Sequence, residues 1–211
     1  MLAHFFAMAG IERPSYLDVG AHHAAFLSNT YYFYRKGSRG VLVEPDPRLS
    51  AALKKARPRD TVEALGVGDG RAKSATLHLM STPALNTLSA SEAKGYEKGR
   101  RHLGEQSIRD RVEVPLMSLN ELMQKHFSDG VDLLSIDIEG FDLQALSAMD
   151  FKRHRPGIVV AETLRYDKSG HLGKLKDFGR LFKRAGYDAM ADTFHNTLFV
   201  RRGLIAGAGK K

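Results

Sequence analysis

Apolar and polar positions along the chain fall into two periods. Strand-length apolar runs occupy residues 16–19 ("YLDV"), 41–44 ("VLVE"), 62–67 ("VEALGV"), 131–138 ("VDLLSIDI"), 158–161 ("IVVA") and 197–200 ("TLFV"). Helix-period segments lie between most of them. Residues 48–56 follow Pro47, residues 119–127 follow Ser118 as N-cap with Glu121 in the first turn, and residues 143–149 follow Asp142. A further segment, 172–185, places Leu172, Leu175, Phe178, Leu181 and Phe182 on one face and ends at Gly186. Strands alternating with helices predict an α/β fold, a Rossmann-like doubly wound and mostly parallel sheet covered on both faces. The last stretch, "YDAMADTFHNTLFVRR", breaks the alternation and predicts a hairpin that ends in a C-terminal antiparallel strand. Two extra short strands, "ATLHLM" and "VEVPLM", flank a long polar connection. That connection, residues 81–111, is expected to be a variable lid or substrate segment, partly helical over 89–101, within one domain spanning 1–211.

Composition narrows the class. With 211 residues, 43% hydrophobic and 27% charged, the chain has enough apolar material for one substantial core. It has no cysteine, which excludes disulfides, thiolate metal sites and a cysteine nucleophile, and fits a reducing compartment. The opening "MLAHFFAMAG" is too short to span a bilayer and has no basic leader, so it reads as a helix. A cytoplasmic protein without membrane insertion is expected. The net charge of +8 is clustered in residues 94–111, 152–155 and 174–184. Such clusters suit either a solvated surface or an anionic partner, and no aromatic interleaving points to nucleic acid.

Ligands of parallel sheets bind beyond the carboxyl ends of the strands, where strand order reverses. Asp18 and Gly20 follow the first predicted strand, Glu44 and Asp46 the second, Gly68 and Asp69 the third. Asp137 and Glu139 follow the fourth, and Glu162 the fifth. Glu44 lies roughly 20 residues beyond the Gly20 turn, where an ionised, acceptor-only carboxylate can hold two ribose hydroxyls. The stretch "YLDVGAHHAAFLSN" has the first glycine of a nucleotide-binding turn but lacks the later ones. Those glycines let a helix N-terminus approach a pyrophosphate. Their absence favours a nucleoside cofactor without phosphates, S-adenosylmethionine, over NAD.

The chain resembles the FkbM-type methyltransferases, S-adenosylmethionine-dependent enzymes of class I architecture. The resemblance rests on "DVGAHHAAFLSNTYYFYRKGSRGVLVEPDP" (18–47), "LGVGDG" (65–70), "ALNTLS" (84–89), "VDLLSIDIEGFDLQAL" (131–146), "RPGIVVAET" (155–163) and "NTLFV" (196–200). The family loop is usually Gly-Ala-Asn, and His22 stands here in the asparagine's place. The resemblance implies that Asp18 and Gly20 shape the methionine pocket, with Ala21, His22, Asn29 and Asp46 also at the cofactor. It implies Glu44 on the ribose, Gly68 and Asp69 beside the adenine, and Asp137 beside the sulfonium. The expected reaction is O-methylation of a small-molecule or carbohydrate hydroxyl, whose high pKa calls for a base or a metal. Asp137, Glu139, Glu162 and His195 are the catalytic candidates, with His22 and His23 behind them. Asp137 and Glu162 end neighbouring strands and admit a shared divalent cation. Asn86 and Thr87 are candidates for the acceptor site. The run Tyr31 to Tyr34 reads as core. An RNA acceptor and a non-catalytic cofactor-binding module are the rival readings.

Overall fold

A computed structural model describes residues 1–98, 104–166 and 172–205. A short helix α1 (Leu2–Met8) leads into β1 (Tyr16–Val19), α2 (Tyr31–Arg35), β2 (Gly40–Val43), α3 (Pro47–Ala56), β3 (Thr61–Glu63) and β4 (Gly66–Gly68). Then come β5 (Ser74–Met80), a 3-10 turn (Pro83–Leu85), α4 (Ala90–Glu97), β6 (Ile108–Ser118) and α5 (Leu119–His126). The chain continues through β7 (Leu133–Ile136), α6 (Asp142–Ser147), β8 (Ile158–Glu162), β9 (Leu164–Tyr166) and β10 (Leu172–Lys174). It finishes with α7 (Lys176–Ala185), β11 (Tyr187–Asp192) and β12 (Asn196–Arg201).

The main sheet has seven strands in the order β11-β12-β8-β7-β1-β2-β3. Strands β3, β2, β1, β7 and β8 pair in parallel, while β12 runs antiparallel to β8 and β11 antiparallel to β12. This is the expected doubly wound sheet with its antiparallel C-terminal pair. Period-2 alternation separates the two faces. Leu17, Val19, Val41, Val43, Leu134 and Ile136 join one core with residues of α5, α6 and α7. Tyr16, Leu42, Leu133, Ile158 and Val160 join another with Phe6, Phe33, Tyr34 and Leu53. The aromatic run is thus largely core: Phe33 and Tyr34 are buried and Tyr32 is exposed.

Local signals set several element ends. Asp46 caps α3, its carboxylate accepting from the Arg48 N–H at 2.8 Å, with Pro47 at the first helical position. Ser118 and Glu121 form a reciprocal capping box on α5. Gly186 closes α7 in the left-handed conformation.

Two expectations change. Residues 62–67 are not one strand: β3 ends at Glu63 beside β2, and β4 crosses to a second sheet of order β4-β6-β5. Glycine permits this close approach, because a Cβ at Gly66 would stand 2.8 Å from both Leu116 and Leu88. The apolar run 172–185 also divides, opening as β10, paired with β9, before α7 begins. The connection 81–111 folds as the 3-10 turn and α4 before β6 starts. Helix α4 covers 90–97 of the partly helical stretch expected at 89–101, and positions 99–101 of it lie outside the described residues. No helix among the described residues is long and apolar enough to cross a membrane.

Candidate active site

Strand order reverses between β1 and β7, and a cavity of about 890 Å³ opens there, at the carboxyl ends of the strands. The glycine after β1 sets its floor. Gly20 takes φ +81, and a Cβ on it would lie 1.8 Å from the backbone oxygen of Asp137. Only glycine lets β1 and β7 turn away from the sheet this close together. The Gly20 and Ala21 N–H groups both donate to the Val43 carbonyl, and the Asp137 N–H donates to that of Val19. Three strand ends are thereby locked in one frame.

Glu44 stands at the end of β2, lines the cavity, and is 4% exposed. Its Oε2 accepts from the His22 N–H and its Oε1 from the Asp46 N–H, each at 2.9 Å. Burial and the nearby Asp46 charge nonetheless push its pKa up to about 7, against the pull of those two bonds. Each oxygen keeps a second lone pair for a ligand hydroxyl. His22 reaches Glu44 through its backbone and takes φ +45 to do so. Asn and His are both enriched in that left-handed region, so the histidine preserves the turn that asparagine would make. Burial, then His23, lowers the pKa of its ring.

Across the cleft, Asp137 is accessible through the cavity but embedded in protein on its other sides. Burial raises its pKa well above the usual carboxylate value, and the charges of Glu139, Glu162, Asp142 and Asp18 raise it further. Such a group favours a cation beside it. Glu139, Glu162 and His195 line the same cavity. Glu139 has φ +48. Its carbonyl accepts from the Thr87 hydroxyl at 2.9 Å, and its carboxylate accepts from the Tyr96 hydroxyl.

The connection between β5 and β6 straps this cleft from above. Asn86 donates to Asp46 at 3.1 Å on the Glu44 side and accepts from the Met80 N–H at 2.8 Å. Thr87 and Tyr96 tie the other end to Glu139. Asn86, Leu88 and Tyr96 line the cavity, as do Leu65, Val67 and Leu77 beneath them. Of these, only Asn86 stands out in the sequence as a site residue; Leu65, Val67 and Leu88 lie inside the family motifs quoted above without a role marked, and Leu77 and Tyr96 fall outside them.

The other expected residues divide between the cavity and its surroundings. Ala21, His22 and Asn29 line the cavity, with Asn29 donating to the Ser135 hydroxyl at 3.1 Å. Asp18 is buried behind it, accepting from the Thr30 hydroxyl at 2.6 Å. Asp46 is buried as a cap and an Asn86 partner. Gly68 and Asp69 are absent from the cavity lining, although Leu65, Gly66 and Val67 just before them belong to it. Asp69 accepts from the Arg71 N–H and the Gln144 amide, bonds that lower its pKa. Among the described residues, no group of three or more His, Asp or Glu side chains is placed to hold a metal ion.

A phosphate-free nucleoside fits these residues. The Glu44 carboxylate is an acceptor backed by two amides, apolar Leu65, Val67 and Leu77 offer a face for a planar ring, and Asp137 awaits a positive charge. The doubly wound sheet and the acidic switch-point cleft suit an S-adenosylmethionine-dependent methyltransferase. Residues 18–189 match the Methyltransferase FkbM domain, and the chain belongs to that family. No curated protein matches it in sequence. Among solved structures it is similar to a TehB-like S-adenosylmethionine-dependent methyltransferase from Corynebacterium glutamicum, at 12% identity over 95% of this chain and 86% of that one, with TM-score 0.44. It is also similar to the Burkholderia thailandensis 1,6-didemethyltoxoflavin-N1-methyltransferase bound to its substrate and S-adenosylhomocysteine, at 12% identity over 93% and 73%, TM-score 0.44. A third is the sugar N-methyltransferase KedS8 from a Streptoalloteichus species, at 11% identity over 94% and 84%, TM-score 0.45.

Proposed function

We propose that the protein methylates a hydroxyl of a small molecule or carbohydrate that carries no negative charge. The observation that carries this reading is the charge of the cavity. Glu44, Glu92, Asp137, Glu139 and Glu162 line it, and no Lys or Arg does among its described lining residues, although the chain as a whole is at +8. A phosphorylated or polynucleotide acceptor would meet five carboxylates and no cation, whereas RNA affinity comes chiefly from cations on phosphates. The basic run 152–155 precedes β8, at the opposite end of the sheet from Glu162.

In this reading Glu44 accepts from the ribose hydroxyls, and Leu65, Val67 and Leu77 cover the adenine in place of Gly68 and Asp69. Gly20 and Ala21 leave room for the methionine tail, and Asp137 faces the cationic centre. S-adenosylmethionine supplies an electrophilic methyl group on a sulfonium. The protein's task is to align an acceptor oxygen with that methyl and take away its proton. Glu162 and His195, at the facing ends of β8 and β12, and Glu139, held by Tyr96, surround the β7–β8–β12 side where the acceptor would enter.

The test is incubation with radiolabelled S-adenosylmethionine and fractionated cell extract. Label recovered as a methyl ether on a neutral small molecule is the expected result. Label recovered in RNA or a phosphorylated compound would overturn the reading.

A further inference from the structure

The loop between β1 and α2 displays Phe26 and Leu27 at 67% and 86% exposure, although both line the cavity. This is not a slack loop. The His23 Nδ1 accepts from the Ala25 and Phe26 N–H groups at 3.1 and 2.8 Å. At the other end the Ser28 hydroxyl accepts from the Tyr31 N–H at 3.1 Å, and Asn29 is anchored to Ser135. Leu27 is held at φ +57, a conformation that a bulky residue rarely adopts. The same combination recurs on the turn between β11 and β12. There Phe194, 61% exposed, is held at φ +73, with Thr193, His195 and Asn196 lining the same cavity on either side of it.

Strained backbone in non-glycine residues gathers where function needs it. Two strained, solvent-facing apolar side chains on the two loops bordering one cavity are hard to explain by packing, since neither is covered. The cavity volume, about 890 Å³, lies toward the upper end of single-ligand sites and accommodates a second molecule beside a nucleoside cofactor.

We infer that Phe26, Leu27 and Phe194 form an apolar collar that seats the hydrocarbon part of the methyl acceptor, which is therefore a small molecule with both a hydroxyl-bearing and an apolar face. This rests on the proposed position of the acceptor. The occupant is a small molecule rather than a membrane because Phe26 and Leu27 belong to the cavity wall itself. The carboxylates behind them would repel an anionic headgroup.

The test uses the intact protein saturated with S-adenosylhomocysteine and three probes below their micelle concentrations: octyl glucoside, octyl phosphate and glucose. Calorimetry is expected to show saturable octyl glucoside binding, with glucose and octyl phosphate at least about tenfold weaker. Leu27→Asn and Phe194→Asn keep residues that tolerate the left-handed conformation. They are expected to weaken octyl glucoside about tenfold while leaving S-adenosylhomocysteine affinity and Tm unchanged or higher. Octyl phosphate binding as tightly as octyl glucoside, both Asn variants binding octyl glucoside like wild type, or association with neutral lipid vesicles in place of the monomeric probe would each overturn the collar. Loss of S-adenosylhomocysteine binding in wild type would instead strike the cofactor assignment on which it stands, and that control is read first.

Discussion

The space that a Cβ on Gly20 would need is occupied by the carbonyl oxygen of Asp137, 1.8 Å away. The contact joins β1 to β7 at the reversal of strand order, so the glycine builds the cleft as well as turning the chain. Gly20→Ala combines an unfavourable positive φ with overpacking against backbone. Destabilisation of about 2–5 kcal/mol is expected, a fall of roughly 5–20 °C in Tm at this chain length, with cofactor binding lost. Thermal unfolding with and without S-adenosylhomocysteine reads both effects.

The elevated Glu44 pKa, about 7, makes cofactor affinity depend on pH. With the ribose on Glu44 as proposed, its hydroxyls would donate to the ionised carboxylate, so binding would favour the ionised form and release a proton near pH 7. Affinity for S-adenosylhomocysteine should therefore rise between pH 6 and 8 and level off above. At pH 7, calorimetry in buffers of different ionisation enthalpy should report about half a proton released per molecule bound. A flat profile would detach Glu44 from the ligand.

Asp137 carries the opposite consequence for stability. An acid whose folded pKa is raised binds more protons folded than unfolded, so its contribution to stability falls as pH rises above the unfolded value. Asp137→Asn should raise the Tm of the free protein at pH 8, change it little at pH 4, and weaken S-adenosylmethionine more than neutral S-adenosylhomocysteine. Equal weakening of both ligands would place the sulfonium elsewhere.

Arg57 is fully buried beneath the cofactor loop. It donates to Asp60 and Tyr16 at 2.8 Å and to Thr30 at 3.0 Å, and Thr30 in turn donates to Asp18. Its guanidinium also lies 4.8 Å from the Tyr34 ring centroid. Removing it strands the buried Asp60 carboxylate, so Arg57→Ala should cost about 3–5 kcal/mol in urea unfolding.

The parts of this design that were readable from the chain are local. Apolar runs of strand length marked the strands of the main sheet, and Ser118 with Glu121 announced α5. The acid at 44, following a glycine turn, pointed to the cleft. What escaped depends on contacts distant in sequence. Nothing in "VEALGV" shows that the run divides, with Gly66 packed against Leu116 in a second sheet. Asn86 to Asp46 and Tyr96 to Glu139 span 40 and 43 residues. The paired histidines at 22 and 23 stood in sequence only behind Asp137, Glu139, Glu162 and His195 as candidates for a base. In the fold, one turns the backbone toward Glu44 and the other caps two amides of its own loop.

Glu44 is proposed to hold the ribose of S-adenosylmethionine in the switch-point cleft. Calorimetric titration of S-adenosylmethionine into wild type, Glu44→Ala and Asp69→Ala at pH 8 tests it most directly. Wild type and Asp69→Ala should bind tightly, and Glu44→Ala should lose about 2–4 kcal/mol from two charge-assisted hydrogen bonds. Wild-type affinity in Glu44→Ala, or a comparable loss in Asp69→Ala, would contradict it.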